Sequence, residues 1–376
     1  MEVEVLSRIL IASNSIGGLY NFRRELIQKL IEEKYDVFIS APKGDRIAYF
    51  TQLGCNFIET NISRHGVNPI SDLKLLLKYI EIIRKIKPDV VLTYTIKPNV
   101  YGGIACRIQK IPYIANITGL GTSIENDGII QKIALGLYKV GLRKASCIFF
   151  QNSSNQKFFS DRNMIAGNTR LIPGSGVNIN YHCFEEYPDD DNKIKFLFLG
   201  RIMKDKGINE LLDAAVQIKA KYSNIYFNLI GDCEEDYYER LKELQEKGII
   251  KYHGRQSDVH SFIKESHAVI LPSYHEGMSN VLLEAASTGR PVLASNIPGC
   301  KETFDEGVSG FGFEAKSVDS LVKVIIKFIE LPYEKKKQMG LAGRKKMERE
   351  FDRNIVVNAY LDEINKVLLR TSLRII

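Results

Sequence analysis

The chain has 376 residues, too many for one ordinary domain and enough for two of middling size. With 44% apolar and 26% charged residues it can bury real cores, which excludes a disordered chain, and no apolar run reaches eighteen residues, which excludes a helical membrane span. A net charge of +7 and a sequence pI near 8.9 favour anionic partners such as a nucleotide, a phospholipid surface or a phosphorylated acceptor, and are too mild and too spread out to argue for nucleic acid.

The opening "MEVEVLSRILIASNS" has acids where a signal peptide needs bases, so it reads as a first strand of a cytoplasmic protein. "RILIASNS" is strand-like, "FRRELIQKLIEEK" helix-like and "YDVFISAP" strand-like again. The alternation continues through "DLKLLLKYIEIIRKIK", "PDVVLTYT", "PYIANITG", "IIQKIALGLYKVGLRKAS" and "CIFFQNSS". The strands are unbroken apolar runs, the pattern of a parallel sheet covered by helices on both faces. The helical runs repeat apolar residues at three- and four-residue spacing.

Around Pro173 the rhythm breaks. "PGSGVNINYHCFEEYPDDDNK" is rich in Gly, Pro and Asp, and predicts a strand end followed by an interdomain linker over 173–192. Alternation restarts at "IKFLFLG" and runs through "INELLDAAVQIKAKY", "IYFNLIGD", "AVILPSY" and "PVLASN". The architecture predicted is α/β: two doubly wound parallel-sheet domains, 1–172 and 193–350, facing across a cleft. Such sheets bind ligands at the carboxyl ends of their strands.

Two stretches of the second half carry chemistry. In "LGRIMKDKGINELL" a strand ends at Gly200, and a loop bearing Arg201, Lys204 and Lys206 leads into a helix after Gly207. Cations beside a helix amino terminus can hold phosphate, Arg201 as a fork and Lys206 as a point charge, although a solvated basic loop has the same composition. In "SYHEGMSNVLLEAASTG", Ser279 or Asn280 caps a second helix, and the amides of Gly277, Met278, Ser279 and Asn280 are expected to face an anion. Glu284 leans back toward that helix end, suited to paired ribose hydroxyls, while Glu276 precedes it. The two acids could thus bracket one ligand, with ribose at one end, a second sugar at the other and diphosphate between, although a turn residue at 276 and a dipole-favoured surface acid at 284 fit the same spacing.

Together, "GRIMKDKG" and "PSYHEGMSNVLLEAASTGRPVLASNIPGCKE" resemble glycosyltransferase family 4, retaining enzymes of the GT-B fold with two Rossmann-like domains. The likeness extends to "TYTIKPNVYGG", "NITGLG", "PGSGVN" and "GVSGFGF", and is nearest to bacterial enzymes that build surface polysaccharides or lipid-linked glycans. It implies that Arg201 and Lys206 bind diphosphate, Glu284 binds ribose, and Glu276 contacts the transferred sugar. It places Gly254 and Arg255 at the nucleobase, and Gly17 and Gly18 in a loop that lets the first domain approach donor and acceptor. It also implies that 351–376 is a closing helix packing back across the domain seam. Relatives often carry a histidine near the reacting sugar; "ANITGLGTS" has Asn116 and Thr118 instead, leaving Lys97 as the candidate in that half.

The function implied is transfer of a sugar, an N-acetylhexosamine such as N-acetylgalactosamine, from a UDP-sugar to a lipid-diphosphate-linked or oligosaccharide acceptor. No metal and no cofactor are expected; the acceptor would ride on polyprenyl diphosphate at the inner face of the plasma membrane. A UDP-sugar epimerase of the same fold and a non-catalytic nucleotide-sugar-binding subunit are the alternatives. A nicotinamide oxidoreductase lacks its Gly-x-Gly-x-x-Gly. "DDDN", Asp189 to Asn192, reads as solvated acids, and His275 as a residue lining the site. His65, His182, His260 and His267 show no recognisable partners, and the six cysteines, without metal spacing, read as buried thiols. The helix over 131–146 carries Lys132, Lys139, Arg143 and Lys144 among apolar residues: a membrane-surface helix or a packed helix with a charged rim.

Overall fold

A computed structural model describes residues 7–62, 68–119, 128–234 and 236–373. The chain forms two compact units, 1–175 together with 354–376, and 176–353.

The first unit holds a parallel sheet in the order β3-β2-β1-β4-β5-β6-β7. Its strands are β1 Arg8–Ala12, β2 Asp36–Ala41, β3 Asn56–Glu59, β4 Val90–Tyr94, β5 Tyr113–Ile117, β6 Cys147–Phe150 and β7 Asn168–Leu171. Successive side chains face opposite sides of a strand. Ile9 and Ile11 therefore enter one core, with the helix Ile16–Glu32, while Leu10 and Ala12 enter the other, with the helix Pro69–Ile86. Both cores need apolar residues, which explains the unbroken runs.

The closing helix, Arg353–Ser372, belongs to this first unit. Val356, Tyr360, Ile364 and Val367 are buried in its core, the Tyr360 ring lies 4.5 Å from that of Phe149, and Asn116 Nδ2 donates to the Tyr360 hydroxyl at 2.5 Å.

The second unit holds a six-stranded parallel sheet, β10-β9-β8-β11-β12-β13. These are β8 Ile194–Leu199, β9 Ile225–Ile230, β10 Lys251–Tyr252, β11 Ala268–Leu271, β12 Val292–Ser295 and β13 Gly310–Phe313. Strand order reverses between β8 and β11, and the crevice beyond their carboxyl ends is where ligands bind in such sheets.

The expected linker over 173–192 is not a free tether: residues 176–192 belong with the second unit. Two arginines hold them. Arg290, wholly buried, donates to the carbonyls of Glu185 and Glu186 in this segment, at 2.9 and 2.7 Å, and to those of Ile263 and Lys264, at 3.2 and 2.6 Å. Burial pulls its pKa down to about 10, which still leaves it charged at neutral pH. Arg344 similarly donates to the carbonyls of Ile179, His182 and Ser287. Irregular backbone that is buried must find donors for its carbonyls, and these two side chains supply them.

His267 also has partners, contrary to the sequence reading. Its Nδ1 accepts from the Lys195 amide at 3.2 Å, and its ring meets Tyr187 edge-on at 5.6 Å. Burial pulls its pKa from 6.5 to about 4, so the ring folds neutral. Between those values the unfolded chain binds the extra proton, so stability is lost as pH falls from about 6.5 to about 4. A shift of this size corresponds to about 3 kcal/mol. His267→Asn, which keeps an acceptor without the titration, should flatten the fall of the unfolding midpoint over that window. A wild-type-like slope in the variant would count against it.

Candidate active site

The site is assembled by two loops that leave neighbouring strands β8 and β11. After β8, Gly200 and Arg201 lead through a 3-10 turn, Lys204–Lys206, into the helix Ile208–Lys219. Gly207 joins the two with φ +68°, and a Cβ there would stand 2.0 Å from the Pro272 carbonyl oxygen. Only glycine lets the loops approach this closely. The Tyr274 amide then donates to the Asp205 carbonyl at 2.9 Å, stitching the loops together. The Tyr274 hydroxyl donates to both Glu210 oxygens, at 2.7 and 2.9 Å; burial, then the Glu210 carboxylate, raises its pKa and keeps the proton on.

This arrangement brings Lys206 and Glu276 together. Lys206 Nζ donates to Glu276 Oε1 at 2.5 Å, and Ser273 Oγ donates to the same oxygen at 2.9 Å. The two side chains are only 21% and 15% exposed, so neither charge is freely hydrated. Cys300 lies close by; burial, then Glu276, pushes its thiol pKa up and leaves it protonated.

The helix Asn280–Ser287 begins at Ser279, whose side chain accepts from the Leu282 amide. The amide of Ser279 donates to the Gly299 carbonyl at 2.8 Å, so it does not face an anion as the sequence reading expected. Among the described residues, the amides of Met278 and Asn280 take no hydrogen bond. The Met278 side chain is buried with Val177, Leu283 and Phe351. Gly299 has φ +85°, and a Cβ would meet the carbonyl oxygens of Glu276 and Gly277 at 2.6 and 2.7 Å. Its own amide donates to Glu302 at 2.7 Å.

The other candidates have partners outside the Lys206–Glu276 pair. Arg201 pairs with Glu234 at 2.7 Å, both about half exposed. Arg255, 79% exposed, lies 3.6 Å from Asp232. Gly254 has φ +64° with open space where a Cβ would sit, and its carbonyl accepts from the Gly231 amide. Glu284 lies 3.8 Å from His182 Nε2, a buried ring absent from the sequence reading of the site. His260 also has a partner, Glu185, at 3.1 Å. Sequence spacing gives no sign of either contact, because each joins distant segments. His65 lies outside the described residues, and His275 follows Tyr274 into the loop.

In the first unit, Gly17 and Gly18 occupy the first turn of the helix Ile16–Glu32, where Ser15 accepts from the Gly18 amide, and so are not a loop. Lys97 pairs with Asp72 at 2.8 Å after β4, where Thr95 takes φ +71°. A cavity of about 1040 Å³ in the second unit, lined by Lys195, Tyr226, Asn228, Tyr252 and Phe262, contains none of the motif residues.

Family models match most of the chain: "Glycosyl transferase 4-like" over residues 9–152 and "Glycosyl transferases group 1" over 183–346. One relative is the N,N'-diacetylbacillosaminyl-diphospho-undecaprenol alpha-1,3-N-acetylgalactosaminyltransferase of Campylobacter jejuni, 26% identical, covering 96% of this chain and 99% of that one. Another is the UDP-Gal:alpha-D-GlcNAc-diphosphoundecaprenol alpha-1,3-galactosyltransferase of Escherichia coli, 24% identical over 83% of this chain and 84% of its own. Among solved structures, HepE of Anabaena in complex with UDP and glucose superposes with a TM-score of 0.78 at 20% identity, covering 96% of this chain and 99% of its own. That last likeness shows the fold.

The close approach at Gly207 can be separated from its backbone angle. Gly248 has nearly the same φ, +67°, but nothing within 4 Å of a Cβ. Gly248→Ala should cost only the left-handed conformation, roughly 1–2 kcal/mol in denaturant unfolding. Gly207→Ala should cost clearly more, and equal losses would show that the contact with Pro272 does not constrain the loops.

Proposed function

Since the chain belongs to glycosyltransferase family 4, with the GT-B fold, we propose that it transfers an N-acetylhexosamine, N-acetylgalactosamine foremost, from a UDP-sugar to a sugar on polyprenyl diphosphate in bacterial surface-glycan synthesis. The observation that carries this reading is the Lys206–Glu276 pair at the strand-order reversal of the second unit. Likeness along nearly the whole chain to the Campylobacter N-acetylgalactosaminyltransferase supports the choice of sugar and acceptor.

In the proposed mechanism the second unit holds the donor. The bond that breaks joins the sugar's anomeric carbon to a diphosphate oxygen, so positive charge fixed beside that oxygen lowers the barrier. Lys206 and Arg201 provide it, along with the amides of Met278 and Asn280 at the helix end. Arg201 has to leave Glu234, which costs little, because exposed ion pairs contribute only about 0–1 kcal/mol. Glu276, oriented by Ser273 and Lys206, accepts hydrogen bonds from the transferred sugar and stabilises the positive charge developing on its ring. Glu284 accepts from the ribose hydroxyls, and the backbone at Gly254 and Arg255 meets the uracil.

The acceptor hydroxyl attacks from the face the diphosphate leaves, and the departing phosphate takes its proton, so the anomeric configuration is retained without a covalent enzyme intermediate. No step calls for a metal. The first unit holds the acceptor, with Lys97 as its proposed charged contact.

Among the described residues no helix is long and apolar enough to cross a membrane. The helix Ile129–Leu142 buries Ala134, Tyr138 and Leu142, which makes it a packed helix. Its outer face and following turn expose Lys132, Ile133, Lys139, Val140, Arg143 and Lys144, a basic and apolar mixture suited to an anionic lipid surface at the cytoplasmic face.

Activity assays and NMR test the chemistry, and flotation tests the membrane contact. With UDP-N-acetylgalactosamine and a polyprenyl-diphosphate-linked acceptor, Lys206→Ala and Glu276→Gln should each lower kcat about a hundredfold or more while circular dichroism shows the fold intact at the assay temperature. Excess EDTA should leave turnover undiminished, and NMR should show a retained anomer. Wild-type rates in both variants would remove the site assignment. Separately, flotation with phosphatidylglycerol vesicles should fall as salt rises, and more steeply for wild type than for Lys139→Gln/Arg143→Gln; salt-independent flotation would exclude this face as the contact.

A further inference from the structure

We propose that Cys183, Glu185 and His260 form a reversible binding site for a thiophilic divalent ion of the zinc class, set behind Glu284. The three donor atoms lie within 4.8 Å of one another, although His260 is 77 positions from Cys183 in the chain. Thiolate, imidazole and carboxylate are the donor types that bind zinc.

The distances suit an ion. Zinc bonds of roughly 2.3 Å to sulfur and 2.0 Å to nitrogen and oxygen, at tetrahedral angles, require about 3.5 Å between sulfur and oxygen and about 3.3 Å between nitrogen and oxygen. Cys183 Sγ lies 3.8 Å from Glu185 Oε1, and His260 Nε2 lies 3.1 Å from the same atom. For these two pairs shifts of a few tenths of an ångström would accommodate the ion, and sulfur and nitrogen, within 4.8 Å of each other, would close toward about 3.5 Å. Lys264 Nζ holds the other oxygen, Glu185 Oε2, at 2.9 Å, so Oε1 is the one turned to the cluster. That ammonium, and next to it the His260 ring, keeps the Glu185 carboxylate ionised.

The sequence reading took all six cysteines as buried thiols. Cys55, Cys106, Cys147 and Cys300 are, Cys233 is partly so, but Cys183 is exposed and open to ions from solvent. Thiolate and carboxylate together neutralise a divalent charge, and binding releases the thiol proton.

Affinity should be moderate. A histidine bound through Nε2 normally donates Nδ1–H to an acceptor, and loss of such a partner lowers metal affinity about 10- to 100-fold. Among the described residues, His260 Nδ1 is buried with no hydrogen-bond partner. The site therefore suits a reversible ion, not a permanent structural one. Its coupling runs through His182, whose ring centroid lies 6.0 Å from that of His260 and whose Nε2 lies 3.8 Å from Glu284. Pulling His260 and Glu185 onto an ion alters the packing that positions the Glu284 carboxylate. Metal binding itself is independent of the proposed function; only its effect on the nucleotide rests on that reading.

The test uses cobalt(II) as probe on the reduced, chelator-free full chain. The expected result is a near-ultraviolet thiolate-to-cobalt charge-transfer band that saturates at one equivalent and is bleached by zinc. The band should vanish in Cys183→Ser, weaken at least tenfold in apparent affinity in His260→Ala, and persist in Cys233→Ser. No band in wild type, or an unchanged band in Cys183→Ser, would overturn the site; Cys183 is exposed, so its substitution tests the ligand without threatening the fold. UDP affinity is then measured with and without zinc. A several-fold weakening in wild type and none in Cys183→Ser supports coupling to Glu284, and equal effects in both overturn it. Failure of the zinc-free protein to bind UDP would overturn the proposed function and leave the cobalt result standing.

Discussion

The close approach of Gly207 to the Pro272 carbonyl is the constraint on which the second unit's chemistry depends. Neither loop alone can place a cation against a carboxylate with little water around them. Because a single missing Cβ lets two backbones touch, Tyr274 can bond to Asp205, and Lys206 and Glu276 arrive at one point from neighbouring strands. The flanking helices are held by the same sheet, so the donors at their amino ends are fixed in advance. Preorganised groups of this kind need no rearrangement when charge develops beside them.

Charge in the second unit is arranged in pairs that differ in how much water they keep. Arg201 with Glu234 and Arg255 with Asp232 are well exposed, and such contacts open at small cost. Lys206 with Glu276 is largely shielded, and removing one partner strands the other in a poorly hydrated place. In the proposed mechanism the exposed cations turn toward an arriving anion, and the shielded pair sets where it ends. Glu284 occupies an intermediate position, with the buried His182 behind it.

Much of this was legible in the sequence because the signals were local. Unbroken apolar runs such as "KFLFLG" and "AVILPSY" mark strands buried on both faces, and the glycine and cation spacing of "GRIMKDKG" places the loop and the helix after it. The missed features depend on contacts between distant residues. Nothing near Arg290 in the chain shows that its guanidinium will bind the carbonyls of Glu185 and Glu186, so a Gly/Pro/Asp-rich stretch looked like a tether. The Ser279 amide is satisfied by Gly299, twenty positions on, and Cys183 meets His260 only once the helix His260–Glu265 has packed. Local pattern gives elements and their ends; it does not give the partners of side chains that cross the fold.

The closing helix has a consequence for biosynthesis. Tyr360 and Ile364 fill a core whose strands begin at Arg8, so the unit that contains β1 remains incomplete until residue 364 has left the ribosome. The intervening unit, continuous from 176 to 353, has no such wait and can fold while its neighbour is still open. During that interval one apolar face of the amino-terminal sheet lacks its cover. The nascent chain is then most exposed to misassociation, and a chaperone that recognises bare sheet surface would act there.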